Sequence, residues 1–273
     1  MDLPGRGRTW VWDSGPPAAQ PSAPTVLLLH GWTTTAALNW CRCFEPLSRH
    51  YRVVAPDHRG HGRGIRSVRP FTLEDCADDA AALLSVLGTG AAIAVGYSMG
   101  GPIAQLLWRR HPELVAGLVL CATAARFGET PLPSRAAQAI GVGLSLVFAA
   151  VPPTVREEGR RRLAAGIGSR PDGLAPWAAA EQGSGDPVAL VQAGAAVAAF
   201  DATPWIGEID VPTAVLVTTA DRLVNPARQL AMAAAIHTAE VTEVEGDHRA
   251  CVESATTFVP ALVDAVARVR SRA

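Results

Sequence analysis

The chain lacks an excess of charge of either sign. Its 24 basic residues face 25 acidic ones, giving a formal charge of −1 and a pI near 6.7. That balance gives no electrostatic footprint for a nucleic acid. Lysine is absent, so all 24 bases are arginine, a compositional bias with little functional content. A long apolar run is also missing. The longest nearly apolar stretch, Ala136–Val151, has 16 residues with Gln138 and Ser145 inside it, short of the ~20 that a spanning helix needs. No stable membrane insertion is therefore expected. No apolar run follows Arg6 and Arg8, and Gly15, Pro16, Pro17, Pro21 and Pro24 break the next segment, which argues against a cleavable signal peptide. Cysteine is sparse and odd in number: Cys41, Cys43, Cys76, Cys121 and Cys251 read as thiols in a reducing, cytoplasmic compartment. Cys41-x-Cys43 has no second pair at zinc-like spacing, so no metal site is expected.

What is present is a core. Hydrophobic residues make up 49% of 273 residues and charged ones 18%, a globular composition. The length suits two domains or one large α/β domain carrying an insert. Unbroken apolar runs at Val26–His30, Tyr51–Ala55, Ala91–Val95, Leu118–Cys121 and Ala214–Thr218 predict strands covered by helices on both faces. Thr9–Trp12 predicts a short first strand, and Ala239–Val244 a weaker last one. Helical stretches lie between them at Thr72–Leu87, Gly101–His111 and Pro226–Ile236, and Val252–Val269 reads as a closing helix. The alternation predicts a mostly parallel α/β sheet flanked by helices. It lapses between Cys121 and Thr213, where Pro131, Pro133, Pro152, Pro153, Pro171, Pro176 and Pro187 break the chain into short helices. A structureless loop of that length is improbable in a compact domain. The expected organisation is a core of residues 1–124 and 206–273 with a helical cap insert at 125–205. Within the insert, Ile140, Val142, Leu144, Leu146, Val147 and Phe148 either pack on the sheet domain or line a greasy cleft.

The sharpest local signal is Gly96-Tyr97-Ser98-Met99-Gly100, directly after a predicted strand and before a predicted helix. A strand turning abruptly into a helix needs small residues where the chain crosses itself. The turn strains the serine and pushes its hydroxyl out beyond the sheet. The backbone N–H of Met99 then faces the hydroxyl side at a helix start, where negative charge is favoured. Ser98 is the candidate nucleophile.

A serine hydroxyl needs a base, and the base an orienting acid. His30, His58 and His61 sit beside glycines and read as turn and loop-packing residues, while His50, His111 and His237 flank elements. His248, in Gly246-Asp247-His248, stands between the last strand and the last helix, at the sheet edge where open α/β folds bind ligands. Asp221 leaves the neighbouring strand end and is the candidate acid. Asp247 competes but is awkwardly adjacent to the imidazole it would orient, and Asp210 lies at the wrong end of its strand.

These residues give the chain a resemblance to the α/β-hydrolase superfamily, particularly its compact lidded esterase and lipase members. The order Ser98, Asp221, His248 matches the family order, with the last two 27 positions apart. His30-Gly31-Trp32 resembles the family's first oxyanion element, whose donor is the backbone N–H of Trp32, and Met99 resembles the second donor. Asp57-His58-Arg59-Gly60-His61-Gly62 is similar to the family's structural D-x-R-G-x-G turn. The likeness is weakest in the insert. Two departures stand out: Thr218, Thr219 and Ala220 precede the acid where relatives commonly carry a small residue, and Gly-Asp-His replaces a Gly-x-Gly-His approach.

The resemblance implies a cofactor-free serine hydrolase working through an acyl-enzyme on a small, apolar ester of short-to-medium acyl length, in a monomer or homodimer. A serine at the turn argues against relatives that attack with aspartate. Two readings with the same triad stay open: a perhydrolase of the non-haem haloperoxidase kind, which Gly-x-Ser-Met-Gly-Gly resembles, and a carbon–carbon bond hydrolase, which would need a cation for a substrate carboxylate. Four arginines within Arg156–Arg162 mingle with Glu157 and Glu158 and read as a solvated face. A non-catalytic binding protein is a third class, separable because it would not react with a serine-directed phosphonate.

Overall fold

The computed structural model describes residues 1–128, 136, 139–143, 154 and 175–273. A hairpin of β1 (Asp2–Leu3) and β2 (Gly7–Arg8) precedes a seven-stranded sheet. In chain order the sheet strands are β3 (Val11–Asp13), β4 (Thr25–Leu29), β5 (Arg52–Pro56), β6 (Ala92–Tyr97), β7 (Val115–Cys121), β8 (Thr213–Thr218) and β9 (Ala239–Val244). Their spatial order is β3-β5-β4-β6-β7-β8-β9; β3 is antiparallel to β5 and every other pairing is parallel. This is the α/β-hydrolase architecture that the sequence predicts.

The unbroken apolar runs have a simple cause. Side chains alternate across a strand, and both faces here are covered. Leu27, Leu29, Ala92, Ala94, Leu118 and Leu120 join one buried cluster with α3 (Leu73–Leu87) and α4 (Gly100–Arg110). Val26, Leu28, Ile93, Val95, Val119 and Cys121 join a second with α1 (Ala36–Trp40), α2 (Phe44–Ser48) and the closing helix. Burying each Val or Leu is worth roughly 1.5–3 kcal/mol, so neither face tolerates a polar residue. Helix α3 begins where the sequence indicates, with the Thr72 hydroxyl accepting from the Asp75 amide at 3.0 Å. It ends at Gly88, whose φ of 59° is a left-handed C-terminal turn.

Two expectations need correction. The first sheet strand is Val11–Asp13, not Thr9–Trp12, because Thr9 turns its hydroxyl inward to the Asp57 carbonyl at 2.9 Å instead of continuing a ladder. The closing helix is broken at Ser254 into a short turn at Ala250–Glu253 and a long helix at Ala255–Arg272. The short helices α1 and α2 are too brief to show a helical period and were not expected.

Two further helices, α5 (Ala175–Gly183) and α6 (Pro187–Ala199), lie between β7 and β8, and α7 (Pro226–Ala235) follows β8. Among the described residues a narrow neck joins the two sides of this segment: the Ala202 amide donates to the Ala125 carbonyl at 2.8 Å, and the Arg126 and Asp201 backbones form a one-residue antiparallel β-bridge. Residues 144–148 of the apolar stretch and the Arg156–Arg162 cluster lie outside the described residues. No helix of the described residues is long and apolar enough to cross a membrane.

Candidate active site

Four parallel strands deliver the site from one edge of the sheet. Ser98 follows β6, Asp221 follows β8, His248 follows β9, and the His30-Gly31-Trp32 loop follows β4. The Ser98 turn is as tight as its sequence implies. Ser98 has φ 52°, a left-handed conformation rare outside glycine. A Cβ on Gly96 would lie 2.3 Å from the Gly100 carbonyl oxygen, and one on Gly100 would lie 2.0 Å from that of Leu29, so only glycine lets the chain cross itself. The strained residue is held at both peptide groups: its amide donates to the Cys121 carbonyl at 3.0 Å, and its carbonyl accepts from the Thr123 hydroxyl at 2.8 Å. Met99 opens α4, where the first N–H groups have no partner within the helix.

The three polar side chains meet in line. His248 Nε2 lies 2.9 Å from Ser98 Oγ, and His248 Nδ1 lies 2.8 Å from Asp221 Oδ2. A carboxylate accepts only, so Nδ1 carries the proton and Nε2 is left to accept from the serine. Asp221 has no side-chain surface exposed. Its Oδ1 accepts from the Leu223 and Val224 amides, both at 2.9 Å, and its Oδ2 also accepts from the Thr218 hydroxyl at 2.8 Å. Burial pushes its carboxyl up, but the bonds from His248, the Val224 amide and Thr218 outweigh that and hold it below the usual carboxylate range. Thr218, which the sequence marks as a departure, is thus a direct support of the acid, itself steadied by Gln229 Nε2 at 3.0 Å. Asp247 turns away to cap the Arg249 amide at 2.8 Å. Tyr97 ties the histidine loop to β6, its hydroxyl donating to the His248 carbonyl at 3.0 Å.

The Gly31–Trp32 peptide is fixed from behind. His30 Nε2 accepts from the His58 amide at 2.9 Å, so Nδ1 carries the proton and donates to the Gly31 carbonyl at 2.8 Å. In a trans peptide the next N–H points opposite to that carbonyl. Trp32 N–H therefore points away from the His30 imidazole, and Gly31 itself packs against Ser98: a Cβ on Gly31 would lie 3.4 Å from Ser98 Cβ. The Gly31 amide donates to Asn39 Oδ1 at 2.9 Å, and Asn39 Nδ2 reaches Cys251 Sγ at 3.6 Å, joining this loop to the histidine loop. Thr33 follows at φ 58°, an unusual conformation for a β-branched residue. The sequence marks His30 only as the first residue of the His30-Gly31-Trp32 element, not as the donor that fixes it, and it does not mark Asn39.

Ser98 and His248 open onto a cavity of about 270 Å³ walled by Trp32, Leu38, Leu223 and Val252, with Asn39, Gln182, Arg249 and Cys251 also on its lining. Phe200 and Ala199 line a separate cavity beside Pro70–Glu74, and Trp205 stacks on Trp108 with ring centroids 6.4 Å apart. These side chains complete the packing on α4 and do not wall the Ser98 cleft. Helix α6 instead approaches through Trp32: the indole N–H donates to the Leu190 carbonyl at 2.7 Å, and Gly194 leaves room for the ring. Cys251 combines packing with a place on the cavity wall. No disulfide joins the five cysteines.

The family profile described as alpha/beta hydrolase fold matches residues 24–163, which span the Trp32 loop and the Ser98 turn. The chain belongs to this family. Among curated hydrolases, the 2-(acetamidomethylene)succinate hydrolase of Mesorhizobium japonicum is 35% identical over 102 residues, 36% of this chain and 35% of that protein. The pimeloyl-[acyl-carrier protein] methyl ester esterase of Sodalis glossinidius is 36% identical over 102 residues, 37% of each chain. The matched segment thus spans about a third of the length of these curated relatives. Over the whole α/β hydrolase, the chain is similar to the enol-lactonase of Burkholderia xenovorans LB400, with 27% identity, a TM-score of 0.75, and coverage of 95% of this chain and 97% of that one.

Proposed function

We propose that this α/β hydrolase cleaves carboxylic esters of short-to-medium, apolar acyl length through an acyl-enzyme on Ser98. The observation that carries the reading is the unbroken chain from Ser98 Oγ through His248 to Asp221, at 2.9 and 2.8 Å. In the first half-reaction His248 Nε2 takes the serine proton as Oγ attacks the ester carbonyl. Asp221 stabilises the imidazolium and keeps the ring in register. The Trp32 and Met99 amides receive the negative charge on the carbonyl oxygen, a contribution preorganised by the His30 bond and the start of α4. The imidazolium then protonates the departing alcohol. Water, deprotonated by the same nitrogen, attacks the acyl-enzyme and releases the acid. The scheme requires no cofactor or metal.

The substrate class follows from the wall. About 270 Å³ lies at the small end of ligand pockets, ~300–1,000 Å³, and its largest faces are apolar. Arg249, the cation on the lining, is paired with Glu253 at 2.9 Å and has Asp247 at 3.9 Å, which favours a neutral substrate over a carboxylate. An esterase and a lactonase among the similar proteins support ester chemistry at this site. Residues 125–205 would form the cap over a core of 1–124 and 206–273, in keeping with the narrow neck at Ala125 and Ala202. Mostly buried, unbridged thiols suit a reducing, cytoplasmic setting.

A series of aryl esters from two to twelve acyl carbons tests the reading. A maximum near four to eight carbons is expected, with Ser98→Ala abolishing turnover. Vigorous peracid formation from acetate and hydrogen peroxide, with a maximum at two carbons, would replace it with the perhydrolase reading. Residual activity of Ser98→Ala within tenfold of the parent would remove Ser98 from the mechanism.

A further inference from the structure

Helix α6 holds one glycine among six alanines. Glycine weakens a helix interior relative to alanine, so Gly194 in this setting calls for a local cause. The neighbour that supplies it is Trp32. A Cβ at position 194 would lie 2.6 Å from Trp32 Cζ2 and 3.0 Å from Cη2, closer than carbon atoms pack. The same gap uncovers the Leu190 carbonyl. That carbonyl stands one turn earlier in the helix, and a side chain at 194 would lean back over it, because Cα–Cβ bonds tilt toward a helix N-terminus. The Trp32 indole N–H reaches it at 2.7 Å, using the second lone pair that a carbonyl keeps beyond the helix ladder.

Helix α6 is fastened to the sheet domain independently of the tryptophan. Gln192 Oε1 accepts from the Phe71 amide at 2.7 Å, and just before the helix the Asp186 amide donates to the Gly60 carbonyl at 2.8 Å. The Ser184 carbonyl accepts from the Arg66 guanidinium at 2.9 Å. Gly60, at φ 75°, lies so close that a Cβ there would meet Ala189 Cβ at 2.2 Å. The helix is therefore the fixed bearing, and the indole is the part it locates. Two restraints then converge on Trp32. His30 Nδ1 holds the preceding carbonyl at 2.8 Å, and α6 holds the far end of the side chain. Along the chain the Trp32 N–H sits between these restraints, so a swing of its peptide strains one bond or the other. The same residue is part of the wall of the Ser98 cavity.

We propose that Gly194 is a positioning residue for the oxyanion hole: it seats the Trp32 indole on α6, and through that seat it sets where the Trp32 amide lies as charge develops on the substrate oxygen. The inference rests on the ester-cleaving reading, with Trp32 as a donor, and adds α6 to its machinery. Loss of the seat leaves the cavity able to take substrate but loosens a bond that matters most in the transition state. The effect therefore belongs in kcat more than in KM.

Two reactions of the full chain read this out. One is hydrolysis of p-nitrophenyl butanoate; the other is phosphonylation of Ser98 by an alkyl p-nitrophenyl phosphonate, which builds negative charge on an oxygen in the same hole without turnover. Gly194→Ala should keep or raise the thermal midpoint, because alanine strengthens the helix and the clash falls on the end of a side chain that can swing aside. It should lower kcat and the phosphonylation rate about tenfold, part of the ~100- to 1,000-fold that loss of a whole oxyanion donor costs, with KM within about threefold. Trp32→Phe drops both the indole N–H and the ring atoms that meet position 194. A similar fall is expected from it, and adding Gly194→Ala should then cost less than about twofold more. Full kcat in either single variant, a loss confined to KM, or an equal loss from Gly194→Ala in both backgrounds would overturn the positioning role while leaving ester cleavage standing. A parent that is phosphonylated but cleaves no ester, with the rate falling in Gly194→Ala, would have the opposite meaning: the seat stands and the ester reading falls.

Discussion

Two groups of histidines sit at the same edge of the sheet and are built for opposite behaviour. His248 lies between a buried carboxylate and a serine hydroxyl, with 18% of its side chain exposed. His30, His58 and His61 form a packed cluster a few residues from the Trp32 amide, with His30 and His58 rings 4.2 Å apart and, among the described residues, no carboxylate bonded to any of them. Burial pushes His30 down to about 4 and His61 to about 3. In the proposed mechanism Asp221 would stabilise the imidazolium as it forms, whereas in the cluster burial works against the charged form. Proximity to the reaction therefore does not define a base. A fixed acceptor on the far nitrogen does.

Removing that acceptor breaks the contrast most severely. Asp221→Asn would present a donor or a weak acceptor to Nδ1, so the proton moves to Nε2 and the imidazole can no longer accept from Ser98. Steady-state kinetics should show kcat lower by about two to four orders of magnitude, with KM little changed. Asp247→Asn, by the same assay, should stay within about threefold of the parent, since Asp247 caps the Arg249 amide instead. A greater loss from Asp247→Asn would mean that the wrong carboxylate has been chosen.

The sequence makes some of this legible and hides the rest, for physical reasons. The Ser98 turn is readable because its constraints are local: strand, two crossing glycines and helix lie within a dozen residues. Asp221 and His248 are readable because a parallel sheet brings every strand's carboxyl end to one edge. Thr218 was noticed only as an irregularity, and its bond to Asp221 spans three residues with no motif to mark it. Asn39 was invisible, since it gains its meaning by joining Gly31 to Cys251, a residue more than two hundred positions away. The packing of Trp205 on Trp108 is not legible either, because an aromatic at a cleft and one sealing a helix look the same in sequence.

The buried cluster can be broken without touching His248. His30→Leu removes the donor that fixes the Gly31 carbonyl, freeing the Trp32 N–H to wander from the developing oxyanion. A loss of about tenfold to a hundredfold in kcat with KM within threefold is expected, the pattern of an interaction made chiefly in the transition state. His30→Asn places an amide N–H near the Nδ1 position and should recover part of the loss. Equal damage from both variants, with KM raised in each, would show that His30 only fills space.

The same cluster should make the fold acid-sensitive. In the unfolded chain these histidines titrate near the ordinary value of about 6.5; folded, His61 does so near 3. Between those values the unfolded state binds more protons, so stability is full above about pH 6.5 and falls as the pH drops toward the folded value. At pH 5 His61 alone should cost roughly 2 kcal/mol relative to pH 7.5. Asp57, whose burial raises its carboxyl, acts in the other direction, so the test is a difference. Urea unfolding at both pH values should show the pH-dependent loss in His61→Asn smaller than in the parent by about that amount.

The smallest effect sharpens the comparison from the side of His248. Asp221 accepts from His248, two backbone amides, the Thr218 hydroxyl and, more weakly, Gln229 Nε2, so Thr218→Val deletes one of five bonds and keeps the shape of the strand end. The carboxylate remains charged and buried, and the amides still fix Oδ1, but Oδ2 loses the partner that shares it with the imidazole. Gln229 Nε2, 3.4 Å from Oδ2 in the parent, is close enough to take up part of the missing bond. Steady-state kinetics should therefore show a fall of only about three- to tenfold in kcat, near 1 kcal/mol, with KM within twofold. Adding Gln229→Leu to Thr218→Val should deepen the loss by more than Gln229→Leu costs alone, because the double variant removes the substitute as well as the original. Simple additivity would show that the amides at Oδ1 suffice to aim the carboxylate, and that the threonine beside it contributes only to packing.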